Sequence, residues 1–125
     1  MEINEITKVI IEESIKIHSD LGPGLLESVY EEVLHYRLVK RGFDVLRQVP
    51  IPVFYDDIKM DIGFRADLII ERTVIIEIKS IESLAPVHPK IMLTYLKLSN
   101  LKVGLIINFN VDLLKNGIKR VVNNF

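Results

Sequence analysis

The side chains able to do chemistry in this chain are few, and the densest group of them lies between Gly63 and Ser80, GFRADLIIERTVIIEIKS. Asp67 stands there among apolar neighbours, and Glu77-Ile78-Lys79 follows ten residues later. Two β-rich runs, Leu68-Ile69-Ile70 and Val74-Ile75-Ile76, flank a polar break at Glu71, Arg72 and Thr73, which is the pattern of a hairpin. Side chains on a strand alternate faces, so Glu77 and Lys79 share one side while Ile76, Ile78 and Ser80 take the other. Asp67 joins the Glu77 side if the hairpin is in register. Two carboxylates and an ammonium then meet on a patch that is otherwise Val and Ile, where charge is unfavourable unless it is paired or holds a cation. Two readings follow from the residues alone. One is a cross-strand ion pair of Lys79 with Asp67 or Glu77. The other is a hard-cation site, in which two carboxylates and a backbone carbonyl suit Mg2+ or Mn2+.

Composition narrows the classes. The 125 residues are most simply one domain, 1–125, with 49% hydrophobic and 26% charged residues, the balance of a globular protein. The absence of cysteine excludes disulfides, thiolate zinc sites and cysteine nucleophiles. No apolar run approaches the roughly 18 residues of a membrane span, and MEINEITKVIIEES is acidic where a signal peptide is basic. The expectation is a cytoplasmic protein with no membrane partner. The net charge of −1 gives no general basic footprint, so nucleic-acid binding would rest on a local basic patch together with bound metal.

The elements that must position these groups can be placed in order. Ile6, Val9, Ile10, Ile15 and Ile17 recur among Glu and Lys and predict a helix from Ile3 to His18. Its apolar residues also suggest a homodimer. Leu21-Gly22-Pro23-Gly24 breaks the chain before a second helix, LLESVYEEVLHYRLVKRG, closed at Gly42. Glu27 falls in the opening turn of that helix. The ordinary role there is favourable interaction with the helix dipole; the tight Gly-Pro-Gly entry also allows it to aim at the sheet. Tyr30 follows on the same face.

Phe43 to Phe54, broken by Pro50 and Pro52, predicts an edge strand, and Tyr55-Asp56-Asp57 a turn. Lys59 to Ile70 predicts a second strand, with a possible bulge at Gly63, and Thr73 to Ser80 a third. A loop from Ile81 to Pro89 carries His88, a helix runs from Lys90 to Ser99, and Leu101 to Phe109 is a buried strand. A strand, helix and strand in succession imply a right-handed crossover that leaves the last strand parallel to the Glu77 strand. The tail from Val111 to Phe125 reads as a short helix or arm. The order is α-α-β-β-β-α-β, an α/β sandwich with a mixed central sheet.

Three separated signals then agree. Gly24-Leu25-Leu26-Glu27-Ser28-Val29-Tyr30 matches G-x-x-E-x-x-Y, Asp67 lies on the second strand, and Glu77-Ile78-Lys79 matches E-x-K on the third. From about Ile11 to Phe109 the chain resembles the GxxExxY family, a branch of the PD-(D/E)xK nuclease superfamily. That resemblance implies a restriction-endonuclease-like α/β/α sandwich that hydrolyses phosphodiester bonds in DNA with Mg2+ or Mn2+. It makes Asp67 and Glu77 the metal-binding carboxylates, the Ile78 carbonyl a further ligand, and Lys79 the group that orients or helps deprotonate the attacking water. Glu27 becomes a helix carboxylate supporting the metal, and Tyr30, His88 and Tyr95 position substrate.

One position departs from the family pattern. In H-x-x-Q-x-x-x-Y, His88 and Tyr95 match but Ile91 replaces the glutamine, and isoleucine cannot hydrogen-bond a phosphate. By residue type alone His88 is a loop residue and Tyr95 a core aromatic. The alternative to a nuclease is a catalytically inactive module of the same fold that binds nucleic acid or a protein partner.

Overall fold

A computed structural model describes all residues from Met1 to Phe125. Helices α1 (Ile3–Leu21) and α2 (Glu27–Lys40) precede strands β1 (Val45–Tyr55), β2 (Ile58–Ile70) and β3 (Val74–Lys79). Helix α3 (Val87–Ser99), strand β4 (Val103–Asn108), a 3-10 turn (Leu114–Gly117) and strand β5 (Ile118–Val122) complete the chain. The sheet order is β1-β2-β3-β4-β5. Only β3 and β4, joined by α3, run parallel; the other neighbours are antiparallel. The fold is the expected restriction-endonuclease-like sandwich, and no helix is long and apolar enough to cross a membrane.

The helices divide between the two faces of the sheet. Ile6, Ile10 and Ile17 of α1 and Tyr30, Leu34 and Leu38 of α2 pack on Leu68, Ile70, Ile76, Ile78, Leu105 and Ile107. On the other face Met92 and Leu96 of α3 meet Ala66, Ile69, Ile75 and Ile106. Burying each such side chain stabilises the fold by about 1.5–3 kcal/mol. Ile6, Ile10 and Ile17 of α1 are therefore spent on the chain's own core, while Ile15 stays 46% exposed. Gly104 in β4 has a packing cause, since a Cβ there would overlap the Met92 sulfur.

Several element ends shift by one to three residues, α1 running on to Leu21 for instance, and two elements differ in a way that bears on the site or the sheet. Helix α3 starts at Val87, not Lys90, so Pro89 occupies the first turn, where its missing N–H breaks no helical bond, and His88 is helical. The tail forms a strand in place of a helix or arm: Ile118–Val122 pairs antiparallel with β4, from Ile107↔Ile118 to Val103↔Val122. Its β-branched Ile118, Val121 and Val122 suit the pleat, and Lys119 and Arg120 remain exposed on this edge strand.

The β2–β3 ladder is short. It joins Ile70 to Val74, Ile69 to Ile75 and Leu68 to Ile76, and there it ends. The turn between them needs left-handed backbone at Glu71 (φ 51) and Arg72 (φ 55). Below Leu68, β2 pairs only with β1, and the gap opened at Asp67 faces the end of β3.

Candidate active site

The gap is closed by side chains. Asp67 Oδ2 accepts the Ile78 N–H at 2.9 Å, and Glu77 Oε1 accepts the Asp67 N–H at 3.3 Å. These bonds replace the ladder bonds that β2 and β3 no longer make. The N–H and C=O of one strand residue leave on the same edge, so the Ile78 carbonyl faces the same opening. Two carboxylates and a carbonyl thus border one small region.

Both acids are half-buried. Burial, then the neighbouring Asp67 charge, pushes the Glu77 carboxyl up to about 8. Asp67 is also raised, by burial first and by the Glu31 charge, against the lowering effect of the Ile78 N–H. Lys79 forms no ion pair with either, since the chain's ion pairs within 4.0 Å all lie elsewhere. Of the two readings of this cluster, the cross-strand ion pair is absent. What stands is a crowded carboxylate pair with a carbonyl beside it, an oxygen set that fits a hard divalent cation.

Glu27 is held apart from that pair. Its Oε2 accepts the Ser80 N–H at 3.1 Å, and Ser80 Oγ donates to the Leu25 carbonyl at 2.7 Å, which stitches the opening of α2 to the end of β3. Glu27 lines an open cleft of about 550 Å3 with Gly24, Leu25, Ser28, Ser80 and Asn110. No three acidic or imidazole side chains gather as a metal cluster, so the expected set of Glu27, Asp67 and Glu77 does not close. The aim of Glu27 at the sheet end, one of its two sequence readings, is the one observed.

Tyr30 corrects a second expectation. It is fully buried, stacked on Phe109 with ring centroids 4.3 Å apart, and has no surface to offer substrate. Its hydroxyl donates to the Gly22 carbonyl at 2.6 Å and accepts the Leu25 N–H at 3.1 Å. Both bonds fix the Gly22-Pro23-Gly24 loop and so set where Glu27 begins its helix. Gly22 (φ 75) and Gly24 (φ 99) supply the left-handed backbone that this loop needs.

On the α3 face, Glu77, Lys79, His88, Ile91 and Tyr95 border one cavity of about 140 Å3, with Met92 and Ile106 as its floor. Tyr95 stacks on Phe64 at 3.8 Å. Burial first, and then the Glu77 and Asp67 charges, raise its hydroxyl above the usual tyrosine range, so it remains a donor. His88 Nδ1 accepts the Ala85 N–H at 2.8 Å, which leaves the proton of the neutral ring on Nε2. Ile91, 38% exposed, takes the place on this wall where the family pattern has an amide.

Sequence reasoning missed Glu31, Arg47 and Gln48. Glu31 is almost fully buried and accepts Arg47 Nε at 2.7 Å and Gln48 Nε2 at 2.8 Å. The same Gln48 nitrogen lies 3.3 Å from Asp67 Oδ1. Two signals were available. Glu31 is one helical turn after Glu27, and Arg47-Gln48 is a polar pair set between Val45-Leu46 and Val49 in an otherwise apolar strand.

A family model for the PD-(D/E)XK nuclease superfamily matches residues 4–121 of this chain. No curated protein and no solved structure matches it.

Proposed function

We propose that this chain, which belongs to the PD-(D/E)XK nuclease superfamily, hydrolyses phosphodiester bonds in DNA with a divalent cation, Mg2+ or Mn2+, as a member of the GxxExxY branch. The observation that carries this reading is the half-buried Asp67–Glu77 pair with no ammonium within ion-pair distance. Asp67, Glu77 and the Ile78 carbonyl would hold the cation. When bound, it supplies neutralising charge at the scissile phosphate and acidifies a water.

The remaining work falls to the chain's own groups. Lys79 borders the same cavity as Glu77, and its ammonium favours the negative charge that develops on the phosphate and orients the attacking water. His88 Nε2–H and the Tyr95 hydroxyl are donors for phosphate oxygens. Ile91 provides wall and no hydrogen bond. Glu27 acts from the end of α2 by holding the Ser80 backbone, and with it the end of the strand that carries Glu77 and Lys79.

Ile91 also favours a second reading, in which the fold binds nucleic acid or a protein partner without cleaving it. The two separate in a calorimetric titration of Mg2+ and Mn2+ into the parent and Asp67→Asn, beside cleavage assays on single- and double-stranded DNA. Cation binding and cleavage that both vanish in Asp67→Asn support the nuclease. A parent that binds neither cation leaves the non-catalytic module.

A further inference from the structure

Gln48 carries an unusual backbone for its place. Its φ of 52 is left-handed, and it is the only residue inside a strand with that feature. A left-handed non-glycine residue costs about 1–2 kcal/mol. Register does not demand it, because the β1–β2 ladder keeps step on both sides, with Arg47 opposite Leu68 and Val49 opposite Ala66.

The side chain supplies a reason. Its amide nitrogen lies between two carboxylates, 2.8 Å from Glu31 Oε1 and 3.3 Å from Asp67 Oδ1. An amide nitrogen has two hydrogens, one for each. Glu31 is in turn gripped by Arg47, which also bonds Glu32, so the chain of contacts is anchored on α2. At its far end Asp67 has one oxygen on Gln48 and the other on the Ile78 N–H. The carboxylate is held at both ends.

We propose that Gln48 is a positioning residue for the cation site: its amide, anchored by Glu31, fixes the rotation of the Asp67 carboxylate and keeps it apart from the Glu31 carboxylate. This rests on the reading of Asp67 as a cation ligand. Groups that orient a ligating carboxylate in this way typically change metal affinity by 10- to 100-fold when removed. Glu31 and Asp67 would otherwise face each other as like charges.

Two substitutions test it from opposite sides. Gln48→Met preserves length and removes the amide. Gln48→Gly removes the side chain and accepts φ 52 without strain, so it folds even if the methionine does not. In the metal-free protein the Ile78 amide proton resonance reports the orientation of Asp67 directly. The expected result is a displaced Ile78 resonance in both variants, unchanged resonances for Leu105 and Ile107 in the core, and Mn2+ affinity weakened about tenfold or more. Parental Mn2+ affinity in either folded variant, or an Ile78 resonance that does not move, overturns the proposal. If the parent itself binds no Mn2+, the cation site fails and this role with it, whereas binding in the parent that is equal in the variants sinks the Gln48 assignment alone.

Discussion

Asp67 Oδ2 accepts the Ile78 N–H at 2.9 Å, across the point where the β2–β3 ladder has already ended at Leu68↔Ile76. A side chain stands in for a missing strand bond, and this pins an acid where the Ile78 carbonyl and Glu77 also face. The local cost is a pair of half-buried carboxylates that water screens only in part. Substituting either should therefore separate activity from stability. Asp67→Asn and Glu77→Gln are each expected to lower DNA cleavage by about 100-fold or more. Glu77→Gln should also hold or raise the melting temperature of the metal-free protein, by about 4 °C for about 1 kcal/mol of relieved repulsion. Asp67→Asn gains the same relief but turns an NH2 toward either the Ile78 N–H or the Gln48 amide, and should stay near the parent. Scanning calorimetry beside a cleavage assay checks both, and a variant that melts lower while cleaving normally would contradict this account.

The raised Glu77 carboxyl fixes the sign of a pH effect. Its folded value of about 8 lies above the ordinary glutamate value of 4.5, so the unfolded chain releases this proton first. The stabilisation linked to it is complete below the unfolded value and is lost as pH climbs toward about 8. Metal-free protein should therefore melt at progressively lower temperature between about pH 5 and pH 8. Glu77→Gln should flatten that slope, and an unchanged slope would place the titration on another group.

A cation at this site competes with those protons. Addition of Mn2+ should raise the melting temperature, by the equivalent of about 2.7 kcal/mol at a concentration 100 times its dissociation constant. Affinity should increase from pH 6 to pH 8 as Glu77 releases its proton. Removing the metal with a chelator should reverse the shift. The same titration on Asp67→Asn should show almost none.

Tyr30 and Asp67 illustrate how unevenly the site could be read in advance. Asp67, Glu77 and Lys79 were legible because an acid or base in an apolar strand is conspicuous and the period of two assigns faces. The sandwich followed from helix and strand patterns whose periods differ. Tyr30 was not legible as an anchor, since an aromatic on a helix face has the same sequence pattern in a core as in a cleft. Gln48 and Glu31 touch across 17 positions only because α2 packs on β1, and no local pattern encodes that contact. Strand β5 was hidden by its length, five residues of which two are Lys119 and Arg120. The start of α3 was displaced because a residue before proline is usually non-helical, a rule that the first turn of a helix escapes.

Tyr30→Phe tests the anchor. It leaves the Gly22 carbonyl and the Leu25 N–H without their partner, which should cost about 1–2 kcal/mol by chemical denaturation. Cleavage should fall as the Glu27 turn loosens, while Mn2+ affinity stays close to that of the parent, because Tyr30 touches neither Asp67 nor Glu77. A loss of affinity equal to that of Asp67→Asn would place Tyr30 in the cation site after all.

Ile91→Gln tests the departure on the α3 wall. Ile91 borders the cavity shared by Glu77, Lys79, His88 and Tyr95, and at 38% exposed it is not locked into the core. A glutamine there keeps helix propensity and adds donors toward the place proposed for the phosphate. A hydrogen bond to a charged group contributes about 1.5–3 kcal/mol, which corresponds to tenfold or more in binding. The expected result is a lower KM for DNA by about tenfold, with melting temperature within a few degrees of the parent. Should Ile91→Gln leave KM unchanged while Lys79→Ala abolishes cleavage, the phosphate is held by Lys79, His88 and Tyr95 alone. If neither the parent nor Ile91→Gln cleaves DNA under conditions where Mn2+ binds, the cavity is a binding site, and the chain is the non-catalytic module that Ile91 favours.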